Sequence, residues 1–494
     1  MMPSYSSEEF YADWRYAVKE DFVTSSDQPY PYADNGHRQW GNELHKFTFN
    51  EMAHRGTVSN DGKHLALAVK NDIHVVDTER WDTIAVLKGH TSEVHAIAFR
   101  PDDSNVLVSS ETDLDRSNIT TYPLIIFWNI EEERTKHPKD DDLYADAAQA
   151  AASTAAKILT NHGVGLTNEE LRSLEEEFQP VIDRAAARHI AKRHVTIDGR
   201  LQTSFQAQIF SPSGKWMVYL PGRAPRSNRD DPWDMQIIST DTLEKKFLLQ
   251  GHTDAIMWTG WSPDESLFAS ISWDTSIRIW DAHTGDQKYS FTTEAQNWTG
   301  SFSPDMSYFA ATNGKGHVRI FSLPSGELHW MYEGQKGDGW RRSVSWHPNN
   351  QWLAVGGERL GGVFIMDVVE KKQIQKRVLS TDACTRDEVY RDMMKRMLVA
   401  QKVQFFDGGN KLAAWTQGDS SIEVYDIKQE VKWRFPRGGT DDGPEAEKWR
   451  DENGKVTSKG GGGMVAWEDG SKGVLRMAGL DFDGVRIWEV PLTI

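Results

Sequence analysis

Residues 272–285, "SWDTSIRIWDAHTG", decide the fold of this chain. Apolar and polar side chains alternate from Ile277 to Trp280, as is typical of a β-strand with one buried face. An aspartate and a glycine turn then end the strand. A strand that closes on Trp-Asp raises the question of whether other strands in the chain end the same way.

The chain contains eight segments of this kind. Each begins with a bulky anchor residue, continues through a turn rich in Pro, Asp, Asn and Gly, and reaches an apolar residue seven positions after the anchor. The anchors are Val58, Phe99, Phe210, Trp261, Phe302, Trp346, Phe405 and Trp467. A further strand follows each turn, in the order "IHVVD", "IIFWN", "MQIIS", "IRIWD", "VRIFS", "VFIMD", "IEVYD" and "VRIWE". The pattern predicts eight consecutive repeats of antiparallel strands.

In these features the chain resembles the WD40 family of β-propellers, whose four-stranded blades have Gly-His before the first strand and Trp-Asp at the end of the third. Gly-His occurs at Gly89-His90 and at Gly251-His252. The resemblance covers about residues 44–494 and implies an all-β propeller. The repeat count predicts eight blades, and seven, the usual number in the family, is the alternative. Residues 45–51 are expected to supply the missing fourth strand of the last blade, and residues 1–43 form an N-terminal arm.

The resemblance also implies a structural hydrogen-bond network within a blade. Repeat four has His252, Asp274 and Trp280 in the family positions, with Ser270 or Ser272 as the strand hydroxyl. These groups are expected to satisfy one another in the interior and not to act as a hydrolase triad. Repeat two keeps the equivalent histidine and tryptophan but has a tyrosine where the aspartate is expected; these residues are His90, Trp128 and Tyr122.

Three insertions interrupt the repeats. We call the face formed by loops between second and third strands, and between blades, the top, and the opposite face the bottom. Residues 138–192 are predicted to form a helical hairpin in the second blade, with a capping box at Thr167 and Glu170, hanging from the bottom face. The hairpin either docks a partner or packs its apolar stripe on the ring. Residues 381–400 are predicted to be a short helical insertion, and 436–462 a flexible loop.

Composition narrows the function classes. The chain has 73 acidic and 56 basic residues, a net charge of −17, which argues against a nucleic-acid or membrane surface. Its single cysteine excludes an intramolecular disulfide, and no apolar run of membrane-spanning length or secretory signal is present. We therefore expect an intracellular protein, cytoplasmic or nuclear. Catalytic, phosphate-binding and metal-binding motifs are lacking, so no cofactor or metal is predicted.

Two function classes remain: a non-catalytic protein-interaction scaffold, and an enzyme or small-ligand binder with its site at the central channel. The scaffold hypothesis has candidate partner-binding residues, because tryptophan and arginine recur in segments assigned to the top face. They are Trp340, Arg341, Arg342, Arg223, Arg226 and Arg359. Their expected partner is another protein or an acidic peptide. The alternative is that each arginine pairs with a neighbouring acid, such as Asp338 or Glu358.

Overall fold

The computed structural model describes most of the chain. The described residues are 16–38, 40–112, 123–135, 147–225, 232–334, 338–357, 359–381, 388–417, 420–436, 462–481 and 484–493. Tyr122 and Arg226 lie outside them, as does nearly all of the loop predicted at 436–462.

Strands dominate the described residues. Before and within the first four repeats the strands are β1 Ala17–Glu20, β2 Tyr32–His37, β3 His45–Phe47, β4 Ala53–Val58, β5 His64–Val69, β6 Asp72–Asp77, β7 Thr83–Leu87, β8 Val94–Arg100, β9 Asp103–Glu111, β10 Leu124–Asn129, β11 Val195–Arg200, β12 Trp216–Pro221, β13 Trp233–Ser239, β14 Lys245–His252, β15 Ile256–Trp261, β16 Leu267–Ser272, β17 Ser276–Asp281 and β18 Gln287–Thr292. In the last four repeats they are β19 Asn297–Phe302, β20 Tyr308–Asn313, β21 Val318–Ser322, β22 Glu327–Tyr332, β23 Arg341–Trp346, β24 Trp352–Gly357, β25 Val363–Asp367, β26 Lys372–Ser380, β27 Val399–Phe406, β28 Lys411–Gln417, β29 Ile422–Asp426, β30 Val431–Phe435, β31 Gly463–Asp469, β32 Val474–Asp481 and β33 Gly484–Pro491.

The described strands form seven sheets. Repeats one, four and five are four-stranded antiparallel sheets in chain order, β4–β7, β15–β18 and β19–β22. Repeats six, seven and eight are β23–β26, β27–β30 and β31–β33, and each has one additional strand from the N-terminal segment. Repeats two and three share one seven-stranded sheet, β8–β14, because β11 pairs with β12 through Gly199↔Pro221 and Arg200↔Leu220.

Apolar side chains fill the space between consecutive repeats. Among the described residues, seven buried clusters join repeat one to two, two to three, and so on to seven and eight. The cluster that contains Leu67 of repeat one and Leu480 of repeat eight closes this circuit into a ring. Next to it, β3 pairs antiparallel with β33 through His45↔Ile487 and Phe47↔Val485. Counted by sheets the ring has seven members, and counted by repeats it has eight, so the eight-blade count stays a prediction.

The N-terminal arm is part of this architecture. Strand β1 extends the sheet of repeat six by pairing with β26, and β2 pairs in parallel with β30 of repeat seven. Between these strands Phe22 and Tyr30 are buried, and the Phe22 ring lies 4.6 Å from that of Tyr425 in β29. The carboxylate of Asp21 also pairs with Lys432 of β30. The arm therefore covers two sheet edges that would otherwise expose unpaired backbone groups.

Four helices are described: α1 Ile130–Thr135, α2 Ala147–Asn161, α3 Asn168–Ala191 and α4 Glu388–Met397. At the start of α3 the predicted capping box is present, since the Thr167 N–H donates to Glu170 (2.8 Å) and the Glu170 N–H donates to Thr167 Oγ1 (3.2 Å).

The position of the hairpin differs from the sequence prediction. It leaves the ring after β10, at the bottom, but the C-terminal half of α3 lies beside top-face loops at residues 48–51, 69–72 and 88–91. Ile190 and Ala191 are buried at the end of α3, and Ala191 belongs to the apolar cluster between repeats one and two. The prediction that the hairpin hangs from the bottom is therefore wrong, because burying these side chains brings the helix back along the ring.

A short segment between β11 and repeat three occupies the central channel. Its 3₁₀ turn, Ser204–Gln206, contacts β15, β19, β23 and β27, the innermost strands of four repeats. Thr299 donates to the carbonyl of Phe205 (2.9 Å), and the Gln206 amide donates to the carbonyl of Val403 (3.0 Å). We call residues 201–208 the channel segment.

Candidate functional site

The polar network of repeat four lies inside the blade. Asp274 is 2.7 Å from Nδ1 of His252, and Ser270 Oγ is 2.7 Å from Nε2 of the same ring. The indole N–H of Trp280 donates to Ser270 Oγ at 3.0 Å, so the serine hydroxyl is left to donate to the imidazole. Of the two candidate hydroxyls, Ser270 is the one that completes the network, while Ser272 donates to the carbonyl of Asp254.

Burial and hydrogen bonds determine the protonation states of Asp274 and His252 in this network. Burial alone would raise the pKa of Asp274, but the hydrogen bonds with His252 and Ser276 hold that pKa well below its usual range. Burial also lowers the pKa of His252, against the opposing effect of Asp274. An ionised carboxylate next to a neutral imidazole results.

The same three groups have the connectivity of a Ser-His-Asp triad. Catalysis, however, requires the serine oxygen to reach a substrate. Ser270 is fully buried, and its oxygen already accepts from Trp280. The arrangement therefore stabilises the blade and does not form a nucleophilic site.

Repeat two builds an equivalent network with a different acid. His90 Nε2 lies 2.6 Å from Ser109 Oγ, which accepts a hydrogen bond from Trp128 Nε1 at 2.7 Å. Glu111 takes the place of the aspartate: its Oε2 accepts from the Thr91 N–H at 2.6 Å. Burial raises the pKa of Glu111, but His90, the Thr91 N–H and Arg188 outweigh it and lower the pKa to about 2.

The top face presents a cluster of tryptophan and arginine at repeats five and six. The Trp340 ring stacks on that of Trp298, with centroids 4.2 Å apart. The Arg342 guanidinium lies over both rings, 5.0 Å from the Trp340 centroid and 5.5 Å from that of Trp298. Trp298 is buried, whereas Trp340 and Arg342 are partly exposed. We call Trp298, Trp340 and Arg342 the top-face cluster.

Arg341 does not belong to this surface, so its candidate role in partner binding is wrong. Its side chain is 2% exposed, pairs with Asp338 at 2.8 Å and donates to the carbonyl of Gly316 at 3.0 Å. The guanidinium also lies 4.5 Å from the ring centroid of Phe364. Arg341 therefore enters the blade, while Arg342, at the irregularity between Arg341 and Ser343, lies over the two indole rings.

The other described candidate arginines, Arg359 and Arg223, lie in different repeats. Arg359 is exposed in the loop after β24, at the same end of repeat six as Arg342. The C-terminal part of α4 adjoins this loop, since the Leu360 N–H donates to the carbonyl of Lys395 at 3.0 Å. Arg223 follows β12 in repeat three and is not beside repeat six. The structure thus brings together Trp340 and Arg342, and it places Arg359 at the same end of repeat six.

Similarity to known proteins agrees with this architecture. A family profile described as "WD domain, G-beta repeat" matches residues 81–117 and 243–281, which include both Gly-His pairs and the Trp-Asp strand. This chain contains WD40 repeats.

Relatives of this WD40-repeat protein match parts of its length. WD repeat-containing protein 90 of Xenopus tropicalis is 28% identical over 142 residues, 28% of this chain and 8% of the relative. A ribosome biogenesis protein WDR12 homolog of Oryza sativa subsp. japonica is 25% identical over 145 residues, 29% of this chain and 33% of the relative. Protein HIR1 of Kluyveromyces lactis is 27% identical over 187 residues, 33% of this chain and 21% of the relative. The chain thus covers at most a third of the length of each.

Two further findings concern the described part of this WD40-repeat protein. None of its helices combines the length and the hydropathy needed to cross a membrane. No group of three or more histidine, cysteine, aspartate or glutamate side chains is arranged there to hold a metal ion.

Proposed function

We propose that this WD40-repeat protein is a non-catalytic scaffold that binds an acidic segment of a partner protein at the top-face cluster. Similarity to WD40-repeat proteins, one of them named for ribosome biogenesis, supports a protein-interaction role at the level of the family. The single observation that supports the site is the stack of Trp340 on Trp298 beneath Arg342.

The chemistry of the cluster suits a binding hot spot. An exposed ion pair alone contributes only about 0–1 kcal/mol, since water and salt screen it. Arg342 is held against two indole rings, so its guanidinium is already oriented and partly desolvated before a carboxylate arrives. Trp340 offers a rigid apolar surface beside it, and this combination of arginine and tryptophan is common at energetic centres of interfaces. Arg359, in the adjacent loop, adds positive charge at the rim.

The experiment compares binding of a fluorescent peptide rich in aspartate and glutamate to the full chain and to two charge-reversal variants. Arg342→Glu should weaken binding by about tenfold or more, the loss expected for one hydrogen-bonded charge at a hot spot. Arg80→Glu is the matched control, because Arg80 lies on the turn after β6, on the bottom face, and is 57% exposed. Equal affinity of the two variants, or no binding by the native chain, would overturn the proposed site.

The enzyme hypothesis receives no support from the Ser270–His252–Asp274 geometry, because the hydroxyl is inaccessible. That the protein is not an enzyme stays a prediction. The intracellular location also stays a prediction.

A further inference from the structure

The central channel contains a cavity that the scaffold role does not use. Its volume is about 800 Å³, within the range of pockets that hold small molecules. The innermost strands of several repeats line it, together with Gln206 of the channel segment. Pro101, Pro212, Pro263 and Pro304, which lie in turns after first strands, also line it, so the cavity reaches the bottom face.

The charges around the cavity have one sign. Among the described residues that line it, Arg55 and Lys402 are charged and no aspartate or glutamate is present. Arg55 donates to the backbone carbonyls of His54 and His95, both at 3.1 Å. Lys402 donates to the carbonyl of Met464 at 3.1 Å. Within the described part of the chain, neither side chain forms an ion pair.

This pattern contrasts with that of the fully buried cations. The buried arginines elsewhere in the ring have carboxylate partners: Arg341 with Asp338, Arg377 and Arg434 with Glu423, Arg476 with Asp469, and Arg486 with Asp481. A cation removed from water is costly unless an opposite charge compensates it. Burial lowers the pKa of Lys402 to about 8 and also lowers that of Arg55, which Glu93 offsets only in part. Two partly buried cations therefore face one cavity without a compensating carboxylate in its wall.

The channel segment that borders the cavity contains strained backbone. Phe205 and Gln206 have φ angles of 56° and 65°, in the left-handed region that non-glycine residues rarely occupy. Such conformations persist where surrounding contacts fix them, and they concentrate at ligand sites. Here Ser343 donates to Gln206 Oε1 at 2.7 Å, and the Gln206 amide donates to Val403, so the glutamine is held at the cavity wall.

We propose that the channel binds a small polyanion, a molecule with at least two phosphate or carboxylate groups, through Arg55 and Lys402. The guanidinium provides a forked donor and the ammonium a point charge, and both have N–H groups beyond those used by backbone carbonyls. A bound polyanion supplies the negative charge that the cavity wall does not provide for Arg55 and Lys402. The site is separate from the top-face cluster, so either proposal can fail without the other.

The first experiment titrates the full chain with tripolyphosphate and, separately, with citrate by calorimetry at constant ionic strength. Binding of either is expected, and the two arms distinguish phosphate from carboxylate chemistry. Affinity should fall about tenfold or more in Arg55→Gln and Lys402→Gln, as for other lost hydrogen bonds to charged groups. Lys63→Gln should bind as the native chain does, because Lys63 is a 70% exposed lysine of the bottom face outside the cavity wall. Absence of binding in both arms, or equal affinity in all variants, would overturn the proposal.

A second variant separates ligand binding from a structural role. Lys402→Met has similar volume and no charge, so it should raise the thermal unfolding temperature without anion by removing an uncompensated interior cation. It should also abolish the further increase that tripolyphosphate or citrate gives to the native chain. A lower unfolding temperature with the anion effect intact would mean that Lys402 only supports the fold.

Discussion

Glu111 Oε2 lies 3.8 Å from Nδ1 of His90, on the side of the imidazole that Asp274 occupies next to His252 in repeat four. At this longer separation Glu111 Oε2 makes no hydrogen bond to His90 and accepts instead from the N–H groups of Thr91 and Ser92. Arg188 of α3 adds an ion pair at 3.4 Å. An acid from strand β9 thus replaces the family's turn aspartate and also connects the ring to the hairpin.

Replacement of Glu111 by glutamine should reveal this role through its pH dependence. The pKa of Glu111 falls from an ordinary 4.5 to about 2, which corresponds to ~3 kcal/mol of stabilisation at neutral pH. Because the folded-state pKa is the lower one, the contribution is complete above about pH 4.5 and is lost as the pH falls towards 2. Chemical unfolding of native and Glu111→Gln chains at pH 7 and pH 3.5 measures it.

The free-energy difference between native and Glu111→Gln should be largest at pH 7 and should decrease at pH 3.5. A free-energy difference that does not change with pH would show that Glu111 stabilises the fold through packing and not through its ionised carboxylate. Lys63→Gln, with its exposed site, serves as the control for general electrostatic effects.

The network of repeat four can be tested by removing one donor. Trp280→Phe deletes the N–H that bonds Ser270 and should cost about 1–2 kcal/mol more than Trp261→Phe. Trp261 is the matched control, since it is equally buried in the same repeat and its N–H has no hydrogen-bond partner among the described residues. Urea unfolding of the two variants gives the comparison, and equal destabilisation would contradict the proposed role of the indole N–H.

The sequence predicted the propeller class because its signals are local. Turn residues at a fixed distance from a bulky anchor, with alternating strands, define each repeat without knowledge of distant contacts. Glu111 was missed because it lies at the end of β9, two residues after Ser109, whereas Asp274 follows Ser270 by four. An acid that ends the strand directly after Ser109 and Ser110 was the available signal.

Other features depend on contacts between distant residues. The pairing of β2 with β30 is parallel and joins residues about four hundred positions apart, so no local pattern indicates it. The sequence groups Arg341 and Arg342 as one surface, but a strand irregularity between Arg341 and Ser343, which no local pattern indicates, separates their side chains. The buried end of α3 depends on the core beneath it, which the helical periodicity alone does not specify.

The N-terminal arm should contribute substantially to stability. Phe22→Ala is expected to cost about 3–5 kcal/mol, the usual loss for a fully buried phenylalanine. Phe22 is 1% exposed and packs on Tyr425. Leu44→Ala, directly after the arm, is the control, because that side chain is 49% exposed and should change stability by less than about 0.5 kcal/mol. The unfolding free energies of the two variants measure the effect. A similarly small loss in both would mean that the arm contributes little to the stability of the ring.

We expect the C-terminal end of α3 to stabilise the ring and α2 to contribute little to its stability. Ile190, at the end of α3, is 5% exposed, whereas Ile158 of α2 is 55% exposed. Ile190→Ala is expected to cost about 2–5 kcal/mol, because it leaves a cavity in the interior, while Ile158→Ala should change stability by less than about 0.5 kcal/mol. From the sequence, the insertion lies between adjacent strands of one blade, which predicts that a short Gly-Ser turn can replace residues 140–191 without affecting the other blades.

The contacts of Arg188, Ile190 and Ala191 limit that expectation to the distal part of the hairpin. Replacing residues 140–185 by a Gly-Ser linker should preserve cooperative unfolding near the native temperature, because the last turns of α3 remain to cover Glu111 and the apolar cluster. Extending the replacement to residue 191 should lower the unfolding temperature clearly, since it exposes that cluster and removes the ion pair of Glu111. Calorimetric scans of both deletions at one protein concentration provide the measurement. Equal unfolding temperatures would mean that α3 contributes nothing to the ring and that the hairpin is an independent appendage.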